Sequence, residues 1–587
     1  MQLLVNNKVI APVSTDMESQ HKRPQSRPSL HPLGSDLLIM IVDILSPIDI
    51  QALRLVSSAI NKVARYGLYR KLDLGYEKAA LHKTEQLLAS LSSNELLPAV
   101  RSLDVTGPRR TMSWYPNTLD SKNRAQAKSN ICTKMICSAM GQMTGLKHLY
   151  WYGSCVPNEI LSLLAMRPEM KLSVDTNWQH EDSHLLSLVG CQNLHALDVG
   201  CRYGTAEDCL EVTKPLRQIL LTCHNLRRLK LDIAQPQGGC EVYYLPKEYH
   251  GIGLRNGERP PPLEELEIVN YPFGFVPENG QSDSTLGYPA DRYEMQYWTD
   301  MFDWSRLRRL RADRKTIPGQ LAPKLTALEE LYMTQDYWPA ALPQDLPTKL
   351  KVLELEGTAA ELRQDTLEQG DTLRRLKLHQ TEDDNGSWNN LAINDTFLLD
   401  LRTHCPNIEE LALDMPRHNK DWPYSTLDIL STLPRLHTVE LWFELGPPNA
   451  PAQPYVTFSA AAHLFTYLHS RNKQIQHLTV HSGAPSDLGY GYPSDYALWP
   501  QDNTATFTCS LSRRDDEASK GVFTTTYKSV WKKETESLRR LLRRYPDGGI
   551  TCKEALAKFP EDFDGLNREE QGDCVLPWDG PRPLRMY

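Results

Sequence analysis

The chain has 587 residues, 40% apolar and 24% charged, enough to build a substantial core and too apolar for a chain that stays unfolded throughout. Asp and Glu outnumber Lys and Arg by 73 to 65, a formal net charge of −8, which excludes the broadly basic character of a nucleic-acid-binding domain. No run approaches the roughly 18 apolar residues of a membrane span, and the opening MQLLVNNKVIAPVS lacks the basic stretch and apolar core of a secretory signal. The expectation is a cytoplasmic and/or nuclear protein with neither nucleic acid nor membrane among its partners.

Residues 1–29 are polar and end in HKRPQSRPS, which reads as a disordered tail. Residues 30–75 change texture. Leu33, Leu37, Ile41, Ile44, Leu45 and Ile48, widened by Leu38 and Val42, carry helical spacing. Ser46-Pro47-Ile48-Asp49 restarts the chain with Ser at the cap, Pro at the first helical position and Asp two residues later, the arrangement that satisfies the free N–H groups of a helix start. A second helix then carries Ile50, Leu53 and Val56, and a third Ile60, Val63 and Ala64. Three such short helices have more apolar surface than their own interior can take, so part of it is expected to bury against a partner.

These residues resemble the F-box. Its pattern, approximately L-P-x-E-L-L-x-x-I-L-x-x-L-S-P-x-D-L-x-x-L-R-x-V-S, is met by Leu33, Leu37, Leu38, Ile41, Val42, Leu45, Ser46, Pro47, Asp49, Ile50, Leu53, Arg54, Val56 and Ser57. Gly34 stands where Pro is usual and Asp36 where Glu is. The resemblance implies docking on the Skp-type adaptor of a Skp–cullin–F-box ubiquitin ligase, and through it on a cullin. The implied adaptor-binding residues are Leu33, Leu37, Leu38, Ile41, Val42, Leu45, Pro47, Ile50, Leu53 and Val56.

From Tyr69 onward an L-x-x-L-x-L-like phrase recurs, as VRSLDV from Val100, LKHLYW from Leu146, LHALDV from Leu194, LRRLKL from Leu226 and LEELEI from Leu263. It continues from Leu307, Leu328, Leu350, Leu373, Ile408, Leu436 and Ile475, with MKLSVD from Met170 as a degenerate copy. This resembles the irregular leucine-rich arrays that often follow an F-box. The expected fold is therefore α/β: a short N-terminal three-helix F-box, then over 76–482 a leucine-rich-repeat solenoid. A parallel sheet would line its concave face, with helices and irregular returns on the convex one. Helices are expected from Asn130 to Met143 and from Ser459 to His469. Residues 483–587 read as a capping region and tail, with strands at 504–511 and 521–527 and an apolar helical face of Trp531, Leu538, Leu541, Leu542 and Tyr545.

The third and fifth positions of each phrase alternate away from the leucines and should lie on the open sheet face. They read Arg228 and Lys230, Glu265 and Glu267, Arg309 and Arg311, Glu330, Glu354, Arg375 and Lys377, then Glu410. The alternation of sign favours a self-neutralising ladder over an arginine site for a phosphorylated target. Possible target-binding residues are instead the aromatics of the insertion Tyr271–Asp300: Tyr271, Phe273, Phe275, Tyr288, Tyr293, Tyr297 and Trp298. The same rings could also fold down and cover the array. Cys191, Cys223 and Cys405 share a C-x-N-[LI] setting that reads as buried thiol packing.

No phosphate-binding loop, HExxH, GxSxG or dinucleotide glycine motif occurs, so no catalytic, metal or cofactor residue is expected. The expected function is a substrate-recognition subunit that binds a target protein of unknown identity. The alternative is a leucine-rich interaction scaffold that binds the adaptor without promoting ubiquitination.

Overall fold

A computed structural model of the chain describes residues 35–75, 78–106, 132–152, 155–178, 184–203, 205–234, 249–271, 273, 285–286, 294–313, 316–334, 346–347, 349–356, 366–380, 393–415, 421–445, 452–454, 456, 458–483, 505–511 and 523–529. The tail at 1–29, Leu33, Phe275, Tyr288, Tyr293 and the apolar helical face at 531–545 lie outside the described residues.

Three short helices come first: α1 (Ser35–Ile44), α2 (Pro47–Leu53) and α3 (Ser58–Leu68). Ser46 caps α2, accepting from the Asp49 N–H at 3.2 Å while its hydroxyl donates to the Asp49 carboxylate at 2.6 Å. Ser57 does the same for α3, accepting from the Ile60 N–H at 3.2 Å. Each cap satisfies a donor that a helix start would otherwise leave open, which fixes where these short helices begin. Val42, Ile50 and Ala64 form a small core of their own, flanked by Leu45, Leu53, Val63 and Leu68. Tyr66 and Tyr69 join this unit to the main core.

The rest is mixed α/β, organised on one sixteen-stranded sheet. Its strands, numbered here in chain order, are β1 (Lys71–Gly75), β2 (Ser102–Thr106), β3 (His148–Tyr152), β4 (Lys171–Trp178), β5 (Leu194–Arg202), β6 (Arg228–Ala234), β7 (Glu265–Val269) and β8 (Arg309–Ala312). They continue as β9 (Glu330–Thr334), β10 (Val352–Glu356), β11 (Arg375–His379), β12 (Glu410–Met415), β13 (Thr438–Phe443), β14 (His477–Ser482), β15 (Ala505–Leu511) and β16 (Phe523–Ser529). Spatial order follows chain order throughout. All pairings from β1 to β14 are parallel, and β15 and β16 add an antiparallel pair at the far edge.

Each parallel strand falls on one copy of the repeated phrase, the degenerate copy at Met170 included. The physical reason is period 2: the fourth and sixth positions of the phrase reach the same face. There Leu229 and Leu231, Leu266 and Ile268, Leu353 and Leu355, and Leu376 and Leu378 are all buried in one continuous core. Parallel neighbours need a crossover, and helices supply it at several places: Lys78–Ser93, 132–142, Asn158–Ala165, Ala206–Thr222, Asp395–His404, Tyr424–Ser431 and Phe458–Arg471. A slip of one residue would turn every leucine to the wrong face, so the hydrophobic pattern itself holds the register.

The C-x-N lead-in has a role the composition hides. Cys223 and Cys405 are buried, their thiols directed at the carbonyls of Leu188 at 3.3 Å and Thr366 at 3.8 Å, and burial pushes the Cys405 thiol up to about 11. Cys191 is only half-buried. The Asn is the latch. Asn193 Nδ2 donates to the carbonyls of Arg167 and Met170 at 2.8 and 2.9 Å, Asn225 to Gln192 at 2.9 Å, and Asn407 to Asp371 at 2.8 Å. Each ties its strand to the turn before the preceding strand.

The insertion at 271–300 departs from the exposed recognition loop that was one of its two expected forms. Tyr271, Phe273, Tyr297 and Trp298 are buried and so present no surface to a partner. Phe273 meets Trp298 edge-on at 5.2 Å, Trp298 stacks on Phe302 at 4.9 Å, and Phe302 on Trp304 at 5.0 Å. At the centre sits Glu294, fully buried. Its carboxyl accepts from the Ile252 N–H at 2.8 Å, the Tyr271 hydroxyl at 2.9 Å, the Trp298 indole N–H at 3.2 Å and the Tyr249 hydroxyl at 3.4 Å. The polar tips of these aromatics are satisfied internally, which is why they fold in rather than out.

Candidate docking surfaces

Two surfaces stand out among the described residues. The first is on α1–α3. Val42 of α1 and Ile50 of α2 point into the small core, and Leu38, four residues before Val42, is buried as well. Offset by one position, Leu37, Met40 and Ile44 form a second apolar stripe that faces solvent, with Ile44 83% exposed. Ile39 is exposed too, and so are Leu55, at 89%, and Val56 in the turn after α2. A helix apolar on both faces is a helix with something still to bury.

Of the ten implied adaptor contacts, then, Leu37 and Val56 are exposed, Ile41, Leu45 and Leu53 are half-buried, and Leu38, Val42 and Ile50 face inward. The last three are corrected to core positions: α1 packs against α3, where an added Cβ at Gly67 would come within 2.1 Å of Val42 Cγ1. Leu33 and the side chain of Pro47 lie outside the description. Ile39, Met40, Ile44 and Leu55 were missed because motif matching does not separate inward from outward. Drawing α1 as two stripes one position apart finds Met40 and Ile44.

The second surface is the open face of the sheet. The charged positions pair across neighbouring strands: Arg228 with Glu265 at 3.1 Å, Lys230 with Glu267 at 3.3 Å, and Arg309 with Glu330 at 3.6 Å. Arg375 reaches Glu354 at 2.7 Å and Glu410 at 3.3 Å, and Lys377 reaches Glu356 at 2.8 Å. Arg309 also lies over the Tyr332 ring at 4.8 Å. These cations are committed to carboxylates, as the alternating signs required.

Towards β14 the face turns aromatic. Trp442 is sandwiched between His379 at 4.1 Å and His481 at 4.6 Å. His379 Nδ1 lies 2.6 Å from Asp414, and His481 Nε2 lies 2.7 Å from Glu440. Burial pushes the Asp414 carboxyl up against the pull of His379. In contrast, Glu440 is held below the usual range: burial, the largest single effect, pushes it up, but the His481 bond together with the charges of His481, Lys377 and His379 outweighs it. His379, Asp414 and Trp442 are buried, so this cluster braces the sheet rather than offering a binding face.

Among the described residues no His, Cys, Asp and Glu group has the makings of a metal site, and no described helix is long and apolar enough to cross a membrane. Neither the protein-family models nor the curated proteins gave a match to this chain.

Proposed function

We propose that this chain is the substrate-recognition subunit of a Skp–cullin–F-box ubiquitin ligase, working in the cytoplasm and/or nucleus. In this reading α1–α3 are an F-box that docks a Skp-type adaptor. The strands from β1 onward are a leucine-rich-repeat solenoid that carries the target-binding surface. The chain performs no bond-breaking step itself: it brings a target protein to a cullin through the adaptor. The observation that carries the reading is the outward stripe of Leu37, Met40 and Ile44, with Leu55 and Val56, on helices whose inward faces are already used. That apolar surface sits on the helices whose sequence resembles the F-box, and Leu37 and Val56 are among the matching positions.

The test is co-expression with a Skp-type adaptor and capture through a tag on this chain. The wild type should retain the adaptor at one to one. Leu37→Asp with Ile44→Asp should abolish capture while leaving the melting transition in place, because both side chains point outward. A wild type that captures no adaptor, or a double variant that captures it fully, overturns the proposal.

A further inference from the structure

A trough opens in the sheet face between β3 and β6. Its floor is made of short side chains: Ser173 and Asp175 on β4, Ala196 and Asp198 on β5. Tyr150 and Tyr152 of β3 form one wall, and Arg228 and Lys230 of β6 form the other. Tyr152, Asp175, Asp198 and Lys230 sit side by side in register, so the walls are roughly 14 Å apart. The two tyrosine rings are parallel to within 7° with centroids 6.4 Å apart, and the His148 ring continues the row at 6.4 Å from Tyr150.

The charged lining is matched. Arg228, Lys230, Arg309 and Arg311 stand against Asp175, Asp198, Glu265 and Glu267. Glu265 lies 3.1 Å from Arg228 and 4.0 Å from Arg309, Glu267 lies 3.3 Å from Lys230 and 3.9 Å from Arg311, and Asp198 lies 3.5 Å from Lys230. A charged occupant of either sign would have to break one of these pairs. The tyrosines differ. Both are half-buried, and among the described residues neither hydroxyl has a hydrogen-bond partner, whereas the Tyr332 hydroxyl further along the same face donates to Glu330 at 2.9 Å. Strands β3 to β6 are each paired on both sides, so their backbone has no hydrogen bonds left to give an occupant. What the trough still offers is aromatic surface and two hydroxyl donors.

We propose that this trough receives a proline-rich extended segment of a partner protein, its pyrrolidine rings packed on Tyr150 and Tyr152 and its carbonyls accepting from their hydroxyls. A polyproline II segment has no internal hydrogen bonds, and each proline adds a carbonyl without an N–H. Such a segment is uncharged, needs donors and brings almost none, which is the complement of a wall with open hydroxyls beside a matched set of charges. An ordinary extended peptide would instead bring an N–H at every residue and find the strands paired and the carboxylates engaged. The stiffness of the proline segment also reduces the entropy lost when it is held against an aromatic wall. The inference deepens the proposed function by naming the class of target segment, and it rests on that reading for the fate of the bound protein. Binding itself is measured without the adaptor, so failed adaptor capture and failed peptide binding are separate results.

The probe is a dye-labelled oligoproline, followed by fluorescence anisotropy on the full chain, with a Gly-Ser peptide of the same length as its counterpart. The oligoproline should bind about tenfold more tightly than the Gly-Ser peptide. Tyr150→Leu with Tyr152→Leu should remove that preference. Tyr150→Phe with Tyr152→Phe, which keeps the rings and removes the donors, should weaken binding about threefold, and Tyr332→Phe should leave it within about twofold. Raising the salt from about 50 mM to about 500 mM should change the affinity by less than about twofold, since no ion pair is made. Equal binding of the two peptides overturns the proposal, as does a preference that survives in the Leu variant or a Phe variant that binds like the wild type. A collapse of binding with salt overturns it too, because the attraction would then belong to the charged lining. Self-association of the chain that disappears in the Leu variant would give the trough to a second copy. A gain of about tenfold on removing residues 1–29, which carry Pro24 and Pro28, would give it to the chain's own tail. Either result overturns the assignment to a partner protein.

Discussion

Glu294 is the residue on which the inward folding of the 271–300 insertion turns, and Glu294→Leu tests it. Leucine has similar bulk and no acceptor, so four donors lose their partner: the Ile252 N–H at 2.8 Å, the Tyr271 hydroxyl at 2.9 Å, the Trp298 indole at 3.2 Å and the Tyr249 hydroxyl at 3.4 Å. A buried donor left open costs about 1–3 kcal/mol. The longest bond contributes little, the two hydroxyls can rotate, and removing a buried carboxyl gives something back. The sum is therefore about 3 kcal/mol, with Glu294→Gln, which keeps one acceptor, nearer about 1–2 kcal/mol. A long strand array need not unfold in one step, so a local readout is the right one: hydrogen exchange of the amides in 249–271 and 294–304, supported by urea unfolding. Exchange in those segments should accelerate about a hundredfold in the Leu variant, while β11–β14 stay protected. Unchanged protection, or an urea midpoint that does not move, would refute the idea that this carboxyl organises the aromatics. Deleting 271–300 outright should then cost folding of the neighbouring strands, not merely partner binding.

Gly67→Ala should unfold α1–α3 and abolish adaptor capture without touching an outward residue, since the new Cβ would meet Val42 at 2.1 Å; circular dichroism and capture should fall together. Arg309→Ala with Arg375→Ala should cost about 1–2 kcal/mol in 50 mM salt and less in 1 M, because half-exposed pairs are each worth about 0.2–1 kcal/mol and are screened; urea midpoints at the two salt concentrations check it. Asp198→Asn should stabilise the chain at pH 7. Its folded pKa is raised to about 6 from 3.8, so the native state binds more protons across that window and stability falls as pH rises through it. The gain, about 1 kcal/mol after allowing for partial solvent exposure, should vanish as pH drops from 6 to 4, and a pH-independent gain would contradict the assignment. Asp175, Lys230 and Glu267 are the charged groups that act on this carboxyl.

Some of this protein was decided by the sequence alone. Leucines at the fourth and sixth positions of a repeated phrase admit a strand with one buried face, and a strand appears at each copy, down to Leu172 and Val174 in the degenerate one. The sign alternation from Arg228 to Glu410 determined the ladder, because facing positions on adjacent strands lie one spacing apart whatever the returns do. Ser46 and Asp49 announced the start of α2, since capping is a contact between residues three apart. Tertiary structure decided what depends on distant residues. Nothing local says that Tyr271 and Trp298 turn inward: that follows from Glu294 and from Tyr249 across a long insertion. Nor does a motif separate Val42 from Met40, which differ only in whether α3 stands behind them. Nor does anything local place Ser173 beside Ala196: a one-residue shift in the pairing of β4 with β5 does that. Periodicity fixes which face a side chain takes; only packing fixes what it meets there.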